Sequence, residues 1–186
     1  MKENHLSQGA MLHTDNALLV IIDMQERLLP VIAEKERVVE NVLKLAKFAR
    51  IIGLPVILTE QQNLGETTPE IRKELGDVQP IIKLEFNCFG SRAFAERIRR
   101  LGRNALIIAG IEAHICVAQT ALHALSNFTV HVVNDAVSSR SLHNREVAVQ
   151  RMRQDGVTIT SAEMVIYELL GKAGTDTFRE ALKLVK

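Results

Sequence analysis

Six short apolar runs punctuate the 186-residue chain: ALLVII at 17–22, PVIL at 55–58, PIIK at 80–83, ALIIA at 105–109, VHVV at 130–133 and VTIT at 157–160. None keeps the strict apolar–polar alternation of a strand with one wet face, so each is predicted to be a strand buried on both faces. Between them lie helical patterns at 34–52, 91–101, 113–125 and 143–154, followed by 161–170 and 174–185. The first carries Val38, Val42, Leu45, Ala49 and Ile52 on one stripe. Gly53 and Pro55 close that helix, and Asp155 and Gly156 close the one at 143–154. Strands alternating with helices predict an α/β fold: a three-layer, doubly wound (Rossmann-like) sheet of six mostly parallel strands, with helices on both faces and right-handed crossovers.

Length and composition narrow the function. A chain of this size, 47% hydrophobic, suits one compact core. Residues 1–15 are polar and aperiodic and are predicted to be a flexible tail, leaving 16–186 as a single domain. With 23 basic against 22 acidic side chains there is no surplus charge to neutralise phosphates, so nucleic acid is not an expected partner. No run approaches the roughly 18 apolar residues of a membrane span, and no signal segment stands at the N-terminus. Cys88 and Cys116 form neither a disulfide framework nor a CxxC pair, so both are expected as reduced thiols in a cytoplasmic protein.

In a doubly wound sheet the ligand site forms beyond the carboxyl ends of the strands, where strand order reverses. Asp23, Gln61, Lys83 and the turn GIEAHIC at 110–116 all fall on that edge. Asp23 follows six apolar residues, where a carboxylate is costly unless paired, although it could equally cap a turn. Lys83 could reach solvent along its stem. Cys116 stands in the first turn of a helix, whose free N–H groups favour a thiolate, so its pKa is expected to be lowered, and further by a nearby lysine. The three together have the parts of covalent catalysis: nucleophile, proton acceptor and cation.

These residues resemble the isochorismatase-like cysteine hydrolases, closest to the isochorismatase-domain-containing branch. The resemblance spans about residues 16–170. It rests on ALLVIIDMQ, LPVILTEQ, KLEFNCFGS, ALIIAGIEAHICVAQTALHAL and VVNDAVSSRSLHNREVAVQRMRQDGVTITSAEMVIYEL. It implies a catalytic triad of Asp23, Lys83 and Cys116 and a cis peptide between Ile111 and Glu112. It also implies oxyanion donors in the turn near Ala113 and at Cys116, and a homo-oligomer, dimer or tetramer. Gln25, Gln61, Phe86 and Phe89 are expected substrate contacts.

The departures bear on substrate. Nicotinamidases of this superfamily carry a histidine metal motif after the second strand, where this chain reads TEQQNLGETT, so neither metal nor cofactor is expected. His114, two positions before Cys116, would not face it on a helix. Glu112 and His114 are read as pocket rim or subunit contact, Cys88 as a packed thiol, and Asn134–Asp135 as turn and capping residues. The leading expectation is a cysteine-dependent hydrolase of a small amide-type C–N bond acting through a thioester. Two other readings stay open: a vinyl-ether hydrolase of the isochorismatase type, and a non-catalytic small-molecule-binding or scaffold protein.

Overall fold

A computed structural model describes residues 11–185. Six strands, β1 Ala17–Ile22, β2 Val56–Gln61, β3 Ile81–Lys83, β4 Ala105–Ile111, β5 Thr129–Ser138 and β6 Thr158–Thr160, form one sheet in the order β3-β2-β1-β4-β5-β6. Every pairing is parallel, so the sheet is wholly rather than mostly parallel. Seven helices connect and cover it: α1 Lys35–Ile52, α2 Pro69–Leu75, α3 Arg92–Leu101, α4 Ala118–Ala124, α5 Leu142–Gln154, α6 Ala162–Leu170 and α7 Asp176–Val185.

Burial on both faces accounts for the unbroken apolar runs. Leu19 and Ile21 of β1 point into a core with α1, α2 and α6, whereas Leu18, Val20 and Ile22 point into a second core with α3, α4 and α5. The strand order descends from β3 to β1 and then ascends from β4 to β6, so the topological switch point lies between β1 and β4. Here Gly110 pairs with Ile22, and a Cβ on Gly110 would lie 2.1 Å from the Ile22 carbonyl oxygen. Its φ of +117° is also a conformation that side-chain-bearing residues rarely adopt. The glycine of GIEAHIC thus lets the ends of β1 and β4 close up.

Four sequence readings need correction. The helix expected over 113–125 is a π-type turn at Ala113–Val117 followed by α4, because one extra residue is inserted without breaking the apolar spacing. Asn134 and Asp135 lie inside β5, not in a turn. The register against β4 jumps from Ile108–Val132 to Gly110–Val137, so β5 bulges there and resumes. Asp135 does cap, taking the N–H of Ala162 at the start of α6. Helix α2 was not anticipated, although Pro69 at its first turn is an N-terminal signal. The tail expected over 1–15 is held at its inner end: Leu12 is 1% exposed and its N–H meets Glu168 Oε2 at 3.2 Å. The rest of that tail, residues 1–10, lies outside the described residues.

The C-terminal helices cover their own sheet. Ala162, Val165, Ile166 and Leu169 of α6 and Ala181 of α7 are buried in the α1 core. No helix among the described residues is long and apolar enough to cross a membrane.

Candidate active site

The close approach of β1 and β4 sets Asp23, one residue past β1, beside the turn that follows β4. Asp23 takes a left-handed conformation (φ 52°), tolerable for aspartate, and its carbonyl accepts the N–H of Gln25 at 2.8 Å. Past β4, the Ile111–Glu112 peptide is cis and the π-type turn begins. The Glu112 carbonyl takes the N–H groups of Ile115 and Val117, at 3.1 and 3.2 Å, passing over that of Cys116 between them. Lys83 arrives as the last residue of edge strand β3, one place from the exposed Leu84, with its own stem turned inward.

These elements bring the three predicted residues together. Lys83 Nζ lies 2.7 Å from Asp23 Oδ2, 2.8 Å from Gln61 Oε1 and 3.8 Å from Cys116 Sγ. Asp23 Oδ1 accepts the Thr59 hydroxyl at 2.7 Å. The side chains of the Lys83–Asp23 pair are 0% and 1% exposed, so the pair is dry and each charge depends on the other. Above them opens a cavity of about 290 Å³ lined by Asp23, Leu28, Gln61, Leu64, Phe86, Glu112, Ile115, Cys116 and Arg140.

The electrostatics correct one expectation. Burial disfavours the charge on Lys83, but the Asp23 carboxylate and its hydrogen bond outweigh it and hold Lys83 above the ordinary lysine range. Cys116 is not depressed. Burial first, and the Asp23 charge second, push its thiol well above the usual range, against the opposing pull of Lys83. The helix-end argument gave the wrong sign because Cys116 is buried and the charge of Asp23 raises its thiol more than Lys83 lowers it. Burial likewise lifts Cys88 to about 11, against the pull of Lys83. The resting site therefore holds a neutral thiol beside an ion pair.

The other predicted residues divide. Gln61 and Phe86 line the cavity, Phe86 with 54% exposure at its mouth. Gln25 does not. Its amide donates to the carbonyls of Gln61 and Gly65 at 2.9 and 2.7 Å and its oxygen takes the Gln61 N–H at 2.8 Å, so it is fully spent tying the 61–65 loop to the end of β1. Phe89 also turns away, packing against Phe94, Phe128 and His123 with ring centroids 5.1, 5.8 and 5.0 Å apart. Cys88 is buried in the same α3–α4 core, its N–H held by Thr120 Oγ1 at 3.0 Å.

Ile111 and Ala113 are buried in the two cores, whereas Glu112 reaches the cavity wall. There its carboxylate takes the Arg140 backbone N–H at 2.9 Å and Arg140 Nε at 3.1 and 3.2 Å. His114 meets Ser139 Oγ at 2.9 Å and lines a separate cavity, so it is no partner for the thiol.

Thr59 and Arg140 were missed by sequence reasoning. Thr59 stands two residues before the carboxyl end of β2 and Arg140 two residues past β5, near the same edge as Asp23, which is the signal that could have found them. Among the described residues no group of three or more His, Cys, Asp or Glu side chains is gathered as a metal site would need.

Both the sequence and the fold have known counterparts. Residues 17–164 match the isochorismatase domain. Isochorismatase domain-containing protein 2 of Danio rerio is 37% identical over 178 residues, covering 94% of this chain and 89% of the relative. The structure of MAR1 ribonuclease from Caenorhabditis elegans superposes with a TM-score of 0.88 at 34% identity, covering 95% of this chain and 92% of that one. The YcaC gene product of Escherichia coli, described as an octameric hydrolase of unknown specificity, gives a TM-score of 0.84 at 28% identity, covering 94% and 87%. Fold and sequence thus converge, and the chain is a member of the isochorismatase family of hydrolases.

Proposed function

We propose that the chain hydrolyses the C–N bond of a small amide through a thioester on Cys116. The observation that carries this reading is the thiol placed 3.8 Å from a lysine that is itself paired with a buried carboxylate, at the floor of a cavity. Because the thiol is neutral at rest, its proton leaves as attack begins, not before. Asp23 accepts that proton while Sγ attacks the carbonyl carbon. A carboxylate has about four lone-pair sites, so its bonds to Thr59 and Lys83 leave room for one more. Lys83, 2.7 Å from Asp23 Oδ2, stabilises the charged pair, and backbone N–H groups of the turn around Ala113 and Cys116 receive the oxyanion.

Collapse of the tetrahedral intermediate breaks the C–N bond, and the proton on Asp23 passes to the leaving nitrogen. Water then attacks the thioester, with Asp23 taking its proton, and the acid leaves as the thiol re-forms. His114 bonds Ser139 and not the thiol, so the base is the carboxylate, unlike a cysteine–histidine dyad.

A panel of small amides tests this reading. Turnover should vanish in Cys116→Ala with the fold intact, and an acyl adduct on Cys116 should be trapped by acid quench and mass spectrometry. Hydrolysis that survives Cys116→Ala but is lost in Asp23→Ala would point instead to vinyl-ether chemistry, and a ligand released unchanged to a binding protein. Cys88 and Cys116 are both free and buried, which supports a reducing, cytoplasmic setting. Homo-oligomeric assembly, as dimer or tetramer, is part of the same proposal, supported by the octameric relative and checked by light scattering.

A further inference from the structure

We propose that the cavity selects uncharged amides whose acyl group is small and apolar, and excludes substrates that carry a carboxylate. This rests on the amide-hydrolase reading and names the substrate class for that site. Four apolar side chains, Leu28, Leu64, Phe86 and Ile115, make most of the wall, and about 290 Å³ is at the small end of ligand pockets.

The charged groups at the cavity occur in two pairs, one buried and one, at Arg140, 59% exposed on the cation's side. Asp23 is matched by Lys83 at 2.7 Å. Glu112 is matched by Arg140, through both its backbone N–H and Nε. Lys83 spends one further hydrogen bond on Gln61. Among the described residues the cavity therefore offers no cation without a carboxylate partner. An entering carboxylate would shed its water and face the carboxylates of Asp23 and Glu112 against two cations already compensated. A neutral acyl group loses only its contact with water and gains the apolar wall. Glu112 is thus a specificity-determining residue: by pairing with Nε of Arg140 it offsets that cation and weakens what would otherwise be an anion clamp.

Iodoacetamide and iodoacetate test this independently of turnover, since they differ chiefly in charge and both alkylate a thiol, forming an S–C bond with loss of iodide. Their rates at Cys116, resolved from Cys88 by peptide mass spectrometry and normalised to the rates of free cysteine, should favour the neutral reagent by at least about tenfold. Glu112→Gln should narrow that ratio by freeing Arg140. A normalised ratio near one, or one favouring iodoacetate, overturns the proposal, and should Glu112→Gln fail to fold, the wild-type ratio decides alone. Selectivity for iodoacetamide with no amide hydrolysed would leave this inference standing while sinking the amide-hydrolase reading.

Discussion

Thr59 and Asp23 interlock twice: the Thr59 hydroxyl donates to Asp23 Oδ1 at 2.7 Å, and the Asp23 N–H donates to the Thr59 carbonyl at 3.2 Å. The end of β1 is thereby fixed to β2, and with Lys83 on Oδ2 the carboxylate has no freedom to swing. Thr59→Val keeps the shape but leaves a buried acceptor without its donor, which costs about 1–3 kcal/mol. Urea denaturation should show that loss, with Thr59→Ser recovering most of it. A Thr59→Val protein as stable as the parent would mean that the hydroxyl does not hold Asp23.

The Asp23–Lys83 pair should be strongly non-additive. Removing one partner of a buried pair leaves an uncompensated charge and costs about 3–5 kcal/mol. Lys83→Met should therefore be far more destabilising than the double variant Asp23→Asn with Lys83→Met, as measured by denaturant midpoints. Additive single effects would refute the pairing as an energetic unit.

Raised thiols set the sign of the pH response. A cysteine unfolds to an ordinary value near 9.0, whereas folded Cys88 titrates at about 11. Above pH 9.0 the unfolded chain then binds fewer protons than the native one, so stability falls with rising pH, by up to about 1.4 kcal/mol per pH unit for each such thiol. Lys83 adds in the same direction: its contribution is whole below about 10.5 and is lost as pH climbs through its raised folded value. Denaturant midpoints should hold level to about pH 8.5 and then drop. Cys88→Ala should remove part of the fall between pH 9 and 11. In parallel, Cys116 alkylation should keep accelerating past pH 9, with no plateau at lower pH.

Much of the architecture was legible because strand burial is a local signal. ALLVII and ALIIA must bury both faces whatever lies around them, and the position just past each strand then placed Asp23, Lys83 and Cys116 on one edge. What failed depended on contacts far apart in sequence. Gln25 lies two residues from Asp23, yet the antiparallel bridge to Thr67 and its bonds to the 61–65 loop turn it into scaffold. The π-type turn leaves the apolar spacing intact, so nothing in 113–125 announces it. The thiol pKa was misread because a helix end is visible in sequence, whereas burial and the distance to a carboxylate are not.

Gly110 carries the junction and should tolerate no side chain. In Gly110→Ala the new Cβ meets the Ile22 oxygen at 2.1 Å and nitrogen at 2.6 Å, both backbone atoms that cannot step aside. The φ of +117° adds its own strain. The strands would have to part where Asp23 and the Cys116 turn meet, at a cost above about 4 kcal/mol, in the range reserved for drastic substitutions. Soluble yield and thermal denaturation should both register it, and a Gly110→Ala protein melting near the parent would show that β1 and β4 can separate without loss.

Phe86 and Phe89 are three residues apart, yet their substitutions should separate function from folding. Phe86 is half exposed and lines the cavity. Its removal takes away apolar wall that ground state and transition state share, so Phe86→Ala should raise KM for an apolar amide with kcat and stability little changed. Phe89 instead joins an aromatic cluster with Phe94 and Phe128. Phe89→Ala should cost about 2–4 kcal/mol of stability, in keeping with truncation of a partly buried ring, while KM measured below the transition stays near the parent value. Steady-state kinetics and calorimetry on the two proteins decide it. A KM effect at Phe89 equal to that at Phe86 would place the substrate deeper, between the cavity and the α3–α4 core, and would revise the wall on which the selectivity for apolar amides depends.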